Sequence, residues 1–142
     1  MPLLIAFTIS GILFAISLIH VYWAFGGKKG VHLAIPVVEG SKAFTPGALI
    51  TLLVAAALAV FALLSLSLTD AIATPQTLKN YIEWMALFVG AIFVLRAVGD
   101  FNLVGFSKKN QQGQFARLDT WLYSPLCLCV GAGYFYLAWG MK

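Results

Sequence analysis

Long apolar runs broken by short polar stretches set the pattern of this chain. Residues 3–25 hold no Asp, Glu, Lys or Arg. At about 1.5 Å per residue they cover roughly 34 Å, enough to cross a hydrocarbon core of about 30 Å. A second run covers residues 48–68. It follows Thr45-Pro46, where the Thr side chain would cap a helix and Pro is tolerated at the first helical position. Thr74-Pro75 repeats this start signal for a third span over residues 80–100, whose apolar part runs from 82 to 98 with Tyr81 and Trp84 as interface anchors. The fourth span covers residues 121–139. Ser124-Pro125 inside it leaves two readings, a helix kinked near Pro125 or a short surface helix followed by a span that begins there, and the second is preferred. The expected fold is all-α, an integral membrane four-helix bundle formed by one domain over residues 1–142.

Composition strengthens this reading. Of 142 residues, 61% are hydrophobic and 10% charged, against about 45–50% and about 25% in soluble domains. The mean hydropathy of +0.93 excludes a disordered segment. A signal peptide would carry a basic stretch before a shorter apolar core, whereas Met1 and Pro2 open this run, so the first span is expected to stay in the mature protein. Close helix approach in lipid needs small residues, which makes Gly11 with Ala15, Ala55 with Ala59, Ala86 with Gly90, and Gly131 candidate packing positions. Cys127 and Cys129, two apart, would point to nearly opposite faces of a helix and are not expected to pair.

Charge sets the expected orientation. Four spans put the loops over residues 26–45 and 99–120 on one side, with Lys28, Lys29, Lys42, Lys108, Lys109 and Arg117, and leave Lys79 and Lys142 on the other. The bias predicts cytoplasmic long loops and external termini, and argues against insertion in both orientations. The net charge of +4 then points to anionic lipid headgroups at Lys28, Lys29, Lys108 and Lys109. No nucleic-acid partner is expected, since no recognition motif interleaves the cations with aromatics.

Ionisable groups inside spans are costly and so carry information. His20 lies about five residues from the end of the first span and Arg96 at a similar depth in the third, so the two could meet at one level. Arg96 and Asp100 are four apart, on one helix face, with Asp100 expected to fix Arg96. Tyr22 and Trp23 flank the mouth, and Arg117, Asp119, Tyr123 and Ser124 open the fourth span. Two readings follow. These residues form a polar pocket for a small anionic or amphipathic ligand, a lipid headgroup or quinone-like molecule, or they form an ion-pair network that holds the helices together. The first is preferred because so many polar groups at one depth exceed what four packed helices require. His20, Tyr22, Trp23, Arg96, Asp100, Asp119, Tyr123 and Ser124 are therefore the candidate ligand-binding residues.

Three segments also carry a resemblance. Residues 19–27 (IHVYWAFGG), 95–106 with Arg96-Ala97-Val98-Gly99-Asp100-Phe101 and Val104-Gly105-Phe106, and 118–127 with Tyr123-Ser124-Pro125-Leu126-Cys127 resemble the signatures of a bacterial four-span membrane family. That family is catalogued as a domain of unknown function, number thirty-nine ninety-five. The resemblance covers nearly the whole chain and implies a four-helix membrane protein of bacterial origin; it brings no activity.

Other chemistries find little support. No metal site is expected, because His32 lies in a loop and the cysteines diverge, leaving too few ligands beside His20. Haem would need two histidines on facing spans. The stretch Gly26-Gly27-Lys28-Lys29-Gly30 lacks nucleotide-loop spacing. Glu83 and Asp100 lie at span ends, so no central carboxylate serves proton-coupled export. Four helices leave little lumen, so a channel would require a homo-oligomer. A membrane enzyme using His20 as a base on a lipidic substrate, and a structural or interaction subunit, are the alternative functions, and no particular cofactor is indicated.

Overall fold

The computed structural model describes residues 1–69 and 71–140; Asp70, and Lys142 with its place in the charge comparison, lie outside the described residues. In order, the elements are α1 (Pro2–Ala24), α2 (Val31–Ala34), β1 (Val37–Val38), β2 (Ser41–Lys42), α3 (Ala48–Ser67), α4 (Gln76–Val98), α5 (Gly113–Leu118), a π turn (Asp119–Tyr123) and α6 (Ser124–Trp139). Helices α1, α3, α4 and the continuous stretch Gly113–Trp139 are each long and apolar enough to cross a membrane. The fold is the expected all-α bundle, and large side chains such as Trp84, Phe88 and Trp121 face outward, as lipid rather than water would favour.

The bundle consists of two antiparallel helix pairs, α1 with α3 and α4 with α6. The first is stitched by hydroxyls: Ser17 Oγ donates to Ala55 O at 2.7 Å and Ser65 Oγ to Ala6 O at 3.2 Å. The second packs glycine on glycine, since a Cβ added at Gly131 would lie 2.9 Å from Gly90 O and 2.8 Å from Val94 Cγ2. Without a hydrophobic drive between helices in lipid, such close backbone approach supplies dispersion contacts. Tyr134 of α6, fully buried, donates its hydroxyl to Phe61 O of α3 and stacks on Phe93 of α4 at 6.3 Å, joining the two pairs. Ala55 and Ala86 are buried as expected. Gly11 is not a packing position: it is exposed with nothing within 4 Å of an added Cβ, because α1 turns Ile9 and Leu13 inward instead.

Several local expectations are corrected. Neither Thr-Pro start signal caps a helix. Gly47 is the N-cap of α3, its carbonyl accepting both the N–H and the hydroxyl of Thr51, and Pro75 precedes α4 while Thr74 Oγ1 donates to Ile72 O. The loop after α1 contains a hairpin pairing Val37 with Lys42 and Val38 with Ser41. Its turn holds Glu39 and Gly40 at φ 51° and 80°, the positive pair that a tight two-residue hairpin requires.

The fourth span is one continuous right-handed helix from Gly113 to Trp139, so the preferred surface-helix reading does not hold. Pro125 would collide with the carbonyl four residues back. The wider π turn just before it, in which the Ser124 N–H reaches five residues back to Asp119 O, relieves that conflict within a continuous helix.

Both long loops lie at one end of the bundle. Asn110 Nδ2 donates to Val37 O at 2.7 Å, tying the two loops together, and Tyr123 Oη of the π turn donates to Leu33 O at 3.1 Å. Pro2, Ser67, Thr74 and Gly140 line a shared groove at the other end, which places the described ends of the chain beside the α3–α4 connection.

Candidate functional site

The loop after α4 is built by two glycines and a carboxylate. Helix α4 ends at Gly99, whose φ of 94° reverses the chain, and Gly105 at φ 85° crosses back over it. The crossing is close enough that a Cβ on Gly99 would sit 1.8 Å from Val104 O. Asp100 Oδ1 accepts the N–H groups of Asn102, Leu103 and Val104 at 2.9, 2.7 and 3.0 Å. These bonds, that of Val104 foremost, hold its carboxyl below the usual aspartate value, outweighing the opposing desolvation. The returning segment donates Phe106 N–H to Ala97 O and Ser107 N–H to Val98 O, satisfying carbonyls that a helix end leaves open. The expected Arg96–Asp100 pair is absent because the reversal at Gly99 removes Asp100 from the next turn of α4.

Arg96 pairs instead with Asp119 of the π turn, Nη2 to Oδ1 at 2.8 Å. Asp119 is completely buried. Its other oxygen accepts Gly105 N–H at 2.7 Å and lies 3.1 Å from Lys108 Nζ. Lys108 also donates to Gly105 O and Thr120 Oγ1. It is therefore not offered to headgroups as expected: Asp119 draws its ammonium inside, where only 3% of the side chain is exposed. Sequence spacing carries no sign of this partnership, because Lys108 looks like one of two loop lysines. Gly105 was legible only as part of the Val104-Gly105-Phe106 segment.

His20, Tyr22 and Trp23 occupy a different place at the same end. His20 Nδ1 lies 2.8 Å from Ile16 O, a carbonyl to which it can only donate, and Nε2 is left for another partner. The ring meets Trp23 edge-on at 5.2 Å, and Trp23 Nε1 donates to Lys29 O at 2.8 Å. Tyr22 is half-exposed and packs over Gly27, where a Cβ would fall 2.3 Å from its ring.

Beneath this loop a cavity of about 590 Å³ opens between the ends of α1 and α3. His20, Trp23, Lys28, His32 and Lys42 line it with Phe44, Ile50, Thr51 and Val54, and no carboxylate lies among its lining residues. Arg96, Asp100, Asp119, Tyr123 and Ser124 do not line it. The candidate residues thus share one end of the bundle without forming one pocket: His20 and Trp23 line the cavity, Tyr22 lies over Gly27, Asp100 holds the loop after α4, Arg96, Asp119 and Ser124 belong to the α4–α6 side, Tyr123 donates to Leu33 O, and Arg117 is exposed on α5. Among the described residues, no three His, Cys, Asp or Glu converge as metal ligands would.

No curated protein and no solved structure matches this chain. A family model described as "Protein of unknown function (DUF3995)" matches residues 13–134, a stretch that takes in the C-terminal half of α1, the α4 loop and the π turn alike. With that match over most of its length, on four membrane-spanning helices, the chain belongs to the DUF3995 family of proteins of unknown function.

Proposed function

We propose that this multi-pass membrane protein binds a small anionic or amphipathic ligand, a lipid headgroup or quinone-like molecule, in the cavity between the ends of α1 and α3. One observation carries the reading: two histidines, Lys28 and Lys42 line a cavity together with Ile50 and Val54, with no carboxylate in the lining. Such a lining suits a ligand with an anionic or hydrogen-bonding head and an apolar body. His20 Nε2, the ring nitrogen that Ile16 O leaves free, would hydrogen-bond the head. Trp23 presents an apolar wall. The family resemblance favours a bacterial inner membrane, and the Lys and Arg bias favours this end being cytoplasmic, where Lys28, Lys29 and Lys109 would meet anionic headgroups.

The test is native mass spectrometry of the full chain in mild detergent with added phosphatidylglycerol or a short-chain ubiquinone. Wild type should retain one of them, and His20→Ala combined with Lys28→Ala should weaken retention at least about tenfold, equivalent to roughly 1.4 kcal/mol. If neither is retained, or the double variant holds it equally well, the reading falls and a structural or interaction subunit takes its place.

A further inference from the structure

The α4–α6 seam holds a second polar locus that is separate from the cavity. Its three charges do not balance: Arg96 and Lys108 face a single carboxylate, that of Asp119. Lys108 is fully served by Asp119, Gly105 O and Thr120 Oγ1. Asp119 is served by Gly105 N–H, Lys108 and one nitrogen of Arg96. What is left over is positive charge and donors. Arg96 Nη1 is buried and has no partner within the chain.

Ser124 has the same deficit. It is completely buried, and its hydroxyl has no partner. Four other helical hydroxyls, those of Thr8, Thr51, Ser67 and Thr120, donate to the carbonyl four residues back. The buried hydroxyls of Ser17 and Ser65 likewise find carbonyls. Ser124, at the end of the π turn, takes none. Both orphans are anchored to the same residue, since Asp119 accepts Arg96 Nη2 through its carboxylate and Ser124 N–H through its backbone carbonyl. An unmet donor in a buried site costs far more than an ordinary hydrogen bond is worth, and although the Arg96 side chain as a whole is one-third exposed, its Nη1 atom is buried.

We propose that Arg96 Nη1 and Ser124 Oγ together hold a monovalent anion of chloride size at the α4–α6 seam. The donors are one guanidinium N–H group and one hydroxyl, with no free carboxylate to repel the ion. The ion balances the second cation, so Arg96, Lys108, Asp119 and the anion form a neutral set. Both donor atoms are buried, a setting that suits a small halide better than a lipid phosphate. The site stands independently of the α1–α3 cavity.

The test is the thermal unfolding of the full chain in detergent, titrated with chloride or bromide against gluconate at matched ionic strength. Wild type should gain a saturable rise of about 3 °C with either halide and none with gluconate. Ser124→Ala, which removes one donor and leaves the ion-pair network intact, should require at least about tenfold more chloride for the same rise. Crystals soaked in bromide should show an anomalous peak beside Arg96 Nη1. Identical melting in chloride and gluconate, an unchanged chloride response in Ser124→Ala, or a peak at Arg96 Nη1 with no anomalous signal would each overturn the proposal, the last assigning the position to water.

Discussion

Arg96 and Asp119 join across the α4–α6 seam at 2.8 Å, and the carboxylate end of that pair is wholly removed from solvent. Asp119 collects α4, the loop after it and the fourth span onto one side chain: Arg96, Gly105 N–H and Lys108 all converge there. The three signature segments of the chain therefore divide into one that shapes the cavity mouth, residues 19–27, and two that meet at this carboxylate.

The two partners should respond unequally to removal. Asp119→Ala strands Arg96 and the nearly fully buried Lys108, and breaking a buried pair in this way costs about 3–5 kcal/mol. Arg96→Ala leaves Asp119 held by Lys108 and Gly105, and the Arg96 side chain is already one-third exposed, so the loss should be well under half as large. Thermal unfolding of both variants in one detergent measures the ordering, and equal losses would contradict it.

Asp100 should give the loop over residues 99–107 an acid sensitivity. Its carboxyl sits below the usual aspartate value because backbone N–H groups stabilise the ionised form. A depressed folded-state value means the contribution is fully present above the unfolded value and is lost as pH falls through the folded one. Amide exchange at Asn102, Leu103 and Val104 should thus be slow at neutral pH and rise only below the ordinary aspartate range. Asp100→Ala should show exchange at least about tenfold faster at neutral pH. Asp100→Asn, which keeps an accepting oxygen, should retain part of the protection and lose the acid dependence.

Two glycines of similar appearance should behave oppositely. Gly131→Ala places a methyl 2.9 Å from Gly90 O and 2.8 Å from Val94 Cγ2, and such overpacking costs about 1–3 kcal/mol. Gly11→Ala meets nothing within 4 Å and lies inside α1, where alanine is favoured over glycine by about 0.5–1 kcal/mol. Unfolding midpoints should fall for the first and stay level or rise for the second.

Four spans, their approximate limits and the gathering of polar groups at one end were legible in the chain alone, because hydropathy and length are properties of each segment by itself. The family likeness was legible too, since it rests on contiguous residues. Partner choice was not. The four-residue spacing of Arg96 and Asp100 suggested a pair, and the reversal at Gly99 cancelled it. Lys108 read as a headgroup contact until Asp119 drew it inward, 11 positions ahead of that carboxylate in the chain. Ser124-Pro125 read as a helix start, and a π turn absorbed the proline within a continuous span. In each case the deciding quantity was which distant backbone or charge arrived beside the residue, and that is set by the crossing of α4 and α6. Composition determines that this chain must enter a bilayer; only the packing of its helices decides which of its charges meet.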